Sequence, residues 1–104
     1  MDDLEAKRLL VEQLAPYRAR SYAELVREVG ATHAFQTVTS SGVEYNVEIM
    51  VMWDSPREKV DLRVLGAVDD GRWPHWFHPL SDGFIIAPDG RFVGEGNGAM
   101  RSDG

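Results

Sequence analysis

The stretch 43–53 does most to decide what this chain can fold into. Val43, Tyr45, Val47, Ile49, Val51 and Trp53 occupy alternate positions, with Glu44, Asn46, Glu48, Met50 and Met52 between them. A period of two sends successive side chains to opposite faces of a strand, so this stretch reads as a long strand with one wholly apolar face. Ser40-Ser41-Gly42 before it and Asp54-Ser55-Pro56 after it are turn chemistry. Strands on either side follow. Residues 32–39 are rich in β-branched and aromatic side chains. Val60, Leu62, Val64 and Val68 alternate with Asp61, Arg63, Leu65 and Ala67, ending at Asp69-Asp70-Gly71, and pair with the long strand as a hairpin.

The C-terminal part is less regular. The two prolines in Trp73-Pro74-His75-Trp76-Phe77-His78-Pro79-Leu80 cannot donate to a sheet ladder, so the spacing predicts an irregular, aromatic-rich crossing segment. Phe84-Ile85-Ile86-Ala87 and Arg91-Phe92-Val93-Gly94 form a last hairpin about Pro88-Asp89-Gly90.

The N-terminal part has the period of a helix. Ala6, Leu10, Leu14 and Tyr17 recur at three- and four-residue steps, flanked by Leu9 and Val11. Pro16, which lacks an amide donor and clashes with the preceding turn, predicts that this helix stops near Ala15. Ser21-Tyr22-Ala23-Glu24 has the spacing of a capping box, so a second helix starts there. It carries Tyr22, Leu25, Val26 and Val29 on one side, and Gly30 closes it with a left-handed residue. The fold class expected is α+β: two N-terminal helices packed on an antiparallel β-meander of four to five strands. Residues 1–95 form a single domain and 96–104 a flexible C-terminal tail poor in apolar surface.

Composition narrows the functions. A chain of 104 residues has room for one core. Its net charge of −6 and pI of about 4.9 repel phosphate backbones and anionic bilayers, so neither nucleic acid nor membrane is an expected partner. Arg18 and Arg20 form the one small basic cluster. With no cysteine there are no disulfides, thiolate nucleophiles or sulfur-ligated metals. The acidic start Met1-Asp2-Asp3-Leu4-Glu5 is unlike a signal peptide, and the near-apolar run 47–53 is too short to span a bilayer. A cytoplasmic location is the expectation.

The long strand raises the functional question. It is polar on one face at Glu44, Asn46 and Glu48 but apolar on both faces from Ile49 to Trp53. Two helices shield one face of a small sheet. Met50, Met52, Leu65 and Ala67 on the other then need cover from the segment 73–80, from a small apolar or aromatic ligand, or from a second subunit.

Specific chemistry has weaker signals. His75 and His78 have the spacing of two metal ligands on a helix, but their flanking prolines oppose that helix and the sequence identifies no third ligand. No metal and no cofactor is therefore expected, and His33 has no spacing that joins it to them. The Asp-Gly pairs at 70–71, 82–83 and 89–90 are turns without a calcium-loop pattern. Trp53, Trp73, Trp76 and Phe77 can gather at one end of the sheet and stack on a ligand, although core packing is the simpler role. Asp69, Asp70, His75 and His78 are the one local set with both carboxylates and imidazoles for acid–base work.

Asp61-Leu62-Arg63-Val64-Leu65-Gly66-Ala67-Val68-Asp69-Asp70-Gly71, continued by Pro79-Leu80 and by residues 84–95, resembles a set of short bacterial hypothetical proteins. The resemblance implies a bacterial domain ending near Glu95 and assigns no catalytic residue. The function expected first is a non-enzymatic binding or protein-interaction module that self-associates, as a homodimer or with another protein. Its binding residues are expected among Met50, Met52, Trp53, Leu65, Trp73, His75, Trp76 and His78. A small-molecule-binding domain with an apolar or aromatic cleft ranks second, and an enzyme using the Asp/His set third.

Overall fold

A computed structural model describes residues 2–71 and 80–95. Helix α1 (Asp3–Arg18) and the short helix α2 (Tyr22–Val26) precede four strands, β1 (Thr32–Val38), β2 (Glu44–Trp53), β3 (Leu62–Asp69) and β4 (Leu80–Ile86). All neighbours are antiparallel and the order is β1-β2-β3-β4, a simple meander. The expected α+β class holds.

The alternation in the long strand settles which face is buried. Tyr45, Val47, Ile49 and Val51 are buried, as are Leu62, Val64 and Val68 on β3 and Phe84 and Ile86 on β4. Ala6, Leu9, Leu10, Leu14 and Tyr17 of α1 close over them in one cluster. Helix α1 packs closely on the sheet at Gly66, where a β-carbon would stand 2.8 Å from Leu10 Cδ1 and 3.3 Å from Leu14 Cδ2. A side chain there would force Leu10 and Leu14 to shift, so glycine suits the close approach of the helix.

Two expectations about the helices need correction. Helix α1 does not stop near Ala15: it runs through Pro16 to Arg18, and the Ala19 amide still donates to the Ala15 carbonyl at 3.1 Å. A proline so close to the end removes a single ladder bond, and burial of Tyr17 and the contacts of Arg18 hold the last turn. Helix α2 ends at Val26, short of Gly30. Its capping box is complete, with Ser21 Oγ accepting from the Glu24 amide at 3.1 Å and Glu24 Oε1 from the Ser21 amide at 2.9 Å. Beyond Val26 the amides of Glu28 and Val29 reach back three residues, a tighter winding, and Gly30 then takes the expected positive φ of +91°.

The C-terminal hairpin also differs. Strand β4 begins at Leu80, inside the segment expected to be irregular, and Arg91–Gly94 is no fifth strand. It makes a single bridge between Phe92 and Ile86, with the Val93 amide donating to the Ile85 carbonyl at 2.8 Å. Among the described residues the sheet has four strands. The expected crossing segment, apart from Leu80, and the expected tail 96–104 lie outside the described residues.

Candidate interaction surface

Helix α1 lies over β3 and β4, reaches β2, and leaves β1 to one side. Among the described residues, two regions of the sheet therefore lie outside the cover of a helix: the face turned away from α1, and β1 itself.

On the face turned away from α1, Met50 stands directly opposite Leu65, and Met52 opposite Arg63, in the β2–β3 register. Ile85 of β4 pairs with Arg63 and so shares this face. Met50, Met52, Leu65, Ala67 and Ile85 are all half-buried. The expectation that Met50, Met52 and Leu65 come together is met by the pairing. Trp53 goes elsewhere: opposite Leu62, it lies on the α1 side and packs against the core. Trp73, His75, Trp76 and His78 lie outside the described residues, as does Phe77.

Toward the other end of the same face the surface is polar. Gln36 Nε2 donates to Asn46 Oδ1 at 3.0 Å, and Asn46 Nδ2 donates to Asp69 Oδ1 at 3.0 Å, so one chain of hydrogen bonds crosses three strands. Asp69 Oδ1 also accepts from the Gly71 amide at 2.8 Å and thereby shapes the turn after β3. A depression of about 360 Å³ lies here, lined among others by Ala34, Gln36, Glu48 and Ala67. The Asp69 side chain, a candidate acid–base group, is thus engaged in holding strands and turn together. Among the described residues no three His, Asp or Glu side chains gather as metal ligands, and His33 stands on β1 opposite Ile49.

Strand β1 was expected only as the first strand of the sheet, and its exposure is what the sequence reading missed. Six of its seven residues are exposed, on both faces. Phe35 is 37% exposed and Val38 61%. The sequence signal was there in weak form: Thr-His-Ala-Phe-Gln-Thr-Val has no apolar alternation, and it contains no Asp, Glu, Lys or Arg.

The outer rim of β1 can be read from its inner bonds. The Ala31 carbonyl accepts from the Val51 amide at 3.4 Å, and the Thr39 amide donates to the Val43 carbonyl at 3.0 Å. Odd-numbered residues thus bond to β2, and alternation turns the N–H and C=O groups of Thr32, Ala34, Gln36 and Val38 outward. None of these outward backbone groups has a hydrogen-bond partner among the described residues. The opposite rim is different. On β4 the Gly83 amide is taken by Asp82 Oδ1 at 2.8 Å and the Ile85 carbonyl by Val93.

Two further groups tie the scaffold together. The Arg18 guanidinium sits 4.7 Å from the Phe84 ring centre and 5.6 Å from that of Phe92, and its Nη1 bonds both Glu95 oxygens at 3.2 and 2.9 Å. Buried Tyr45 donates its hydroxyl to Glu5 Oε1 at 2.8 Å. Burial, and next the Glu5 carboxylate, push the Tyr45 hydroxyl up to about 12, while hydrogen bonds from Ser41 and then Tyr45 lower Glu5.

Among the described residues no helix is long and apolar enough to cross a membrane. Compared with known protein families, with curated proteins and with solved structures, the chain matches none of them.

Proposed function

We propose that this chain is a non-enzymatic protein-interaction module that self-associates through the sheet surface that α1 leaves uncovered. The observation that carries this reading is the one-sided cover of the sheet among the described residues: α1 lies over β2, β3 and β4 on one face, while no helix covers the half-buried Met50 and Leu65 on the other, and nearly all of β1 is exposed. The lack of cysteine and the resemblance to short bacterial hypothetical proteins support a bacterial, cytoplasmic setting for the module. Native mass spectrometry of untagged protein is the test. A species at twice the 11.7 kDa chain mass without extra mass supports self-association, and a bare monomer at all concentrations overturns it.

A small-molecule binder is the second reading, favoured by the depression beside Asn46. Its lining mixes Gln36, Asn46, Glu48 and Asp69 with Ala34 and Ala67, which suits a ligand carrying both hydrogen-bonding and apolar groups. A monomer that retains extra mass in the same spectrum supports this reading instead.

A further inference from the structure

We propose that two copies of the chain join edge to edge along β1, antiparallel about a two-fold axis at Phe35, to make one continuous sheet. The proposal rests on the self-association reading and names its interface and register.

The register follows from the outward groups. They belong to Thr32, Ala34, Gln36 and Val38, which lie symmetrically about Phe35, the middle residue of the strand. A two-fold antiparallel pairing centred there sets Ala34 against Gln36 of the second copy, and Thr32 against its Val38. Every outward N–H and C=O along the strand meets its complement, with nothing left over at either end. Shifting the register by two residues leaves a pair unmatched. Shifting by one sets inward-bonded residues against outward-bonded ones.

The same axis brings the two Phe35 side chains together. Phe35 stands opposite Val47 in the β1–β2 register and so lies on the α1 side of the sheet, beyond the helix's cover. At the axis the two Phe35 residues form a non-hydrogen-bonded pair, the closer of the two kinds of antiparallel pair, where aromatic side chains meet across strands. His33 falls opposite Thr37 of the second copy on the same side.

The self-complementary register favours a second copy, and charge permits it at this edge. The chain carries −6, so most approaches of one copy to another bring carboxylates together. Strand β1 is the one described element without Asp, Glu, Lys or Arg, and it lacks proline. Edges that must stay single carry such residues or are covered, as the β4 rim is by Asp82 and Val93. A seven-residue edge is a small interface, so the dimer should be weak and depend on concentration.

Sedimentation equilibrium over roughly 10–500 μM, a range suited to small interfaces, together with oxidative cross-linking, tests this with five proteins: wild type, Ala34→Pro, Met52→Glu, Phe35→Cys and Val38→Cys. The Ala34 amide points outward, so proline there removes an intermolecular donor and spares the bonds to β2. Edge pairing requires that wild type and Met52→Glu dimerise and that Ala34→Pro stays monomeric with an unchanged circular dichroism spectrum. It also requires Phe35→Cys to oxidise to a disulfide-linked dimer, while Val38→Cys, far from its own copy in this register, does not. The chain has no cysteine of its own, so the cross-link reports this position alone. A dimer that survives Ala34→Pro, splits with Met52→Glu and gives no Phe35→Cys cross-link overturns edge pairing and leaves self-association standing through the Met50 and Leu65 face. A wild-type monomer throughout overturns both. If Ala34→Pro unfolds, the Phe35→Cys and Val38→Cys pair decides alone.

Discussion

The Tyr45 hydroxyl donates a 2.8 Å hydrogen bond to Glu5, joining the first turn of α1 to the core face of β2. The donor's ring is buried, so the bond spares a polar group that would otherwise be stranded from water.

This pair makes stability depend on pH at both the acid and the alkaline end. Tyr45 has its hydroxyl raised to about 12 in the folded chain, from the ordinary 10.0. The neutral group therefore contributes fully below pH 10, and its contribution is lost as pH rises from there toward 12. Glu5, lowered from its ordinary 4.5, contributes above that value and loses its contribution as pH falls through its lower folded value. Tyr45→Phe should cost about 0.5–1.5 kcal/mol at neutral pH and flatten the alkaline fall in stability. Urea unfolding from pH 7 to pH 11 checks it, and an alkaline fall identical in wild type and Tyr45→Phe would contradict the assignment.

Gly66 fixes how deep α1 sits. Gly66→Ala forces its new methyl against Leu10 and Leu14 and should destabilise by about 1–3 kcal/mol. Leu10→Ala makes room for that methyl, so the double variant should lose less than the sum of the two single changes. Thermal melts of the four proteins measure the coupling. Strict additivity would mean that the two sites do not touch.

Arg18 fastens the chain after β4 to the end of α1 through two rings and one carboxylate. The ion pair is partly exposed and contributes little by itself; the stacking on Phe84 and Phe92 adds to it. Arg18→Ala should lower stability by about 1–2 kcal/mol. Arg18→Lys should recover less than half of the loss, because an ammonium cannot spread its charge over two rings while holding both Glu95 oxygens. Chemical denaturation compares them, and full recovery by lysine would show that charge alone matters there.

Local residue patterns account for much of this fold, and their failures share one cause. The alternation of Tyr45, Val47, Ile49 and Val51 and the Ser21 to Glu24 capping box depend on residues near one another in the chain, and both are present in the structure. Helix α1 outruns Pro16 because Tyr17 and Arg18 find partners far along the chain, which no local rule contains. Met50 and Leu65 were legible as a surface because a period of two places them on the face opposite the core. The bare edge was not, since residues 32–39 read as a strand whether they end a sheet or lie within it. Strand order is a property of the whole chain, and it makes Thr32, Ala34, Gln36 and Val38 an unpaired rim.

Self-association is the central claim, and the mass of the untagged wild-type chain in solution as a function of concentration tests it most directly. Sedimentation equilibrium should show a reversible rise from 11.7 kDa toward twice that mass as concentration increases. A mass that stays at 11.7 kDa up to roughly 500 μM would contradict it, since even weak interfaces associate in that range.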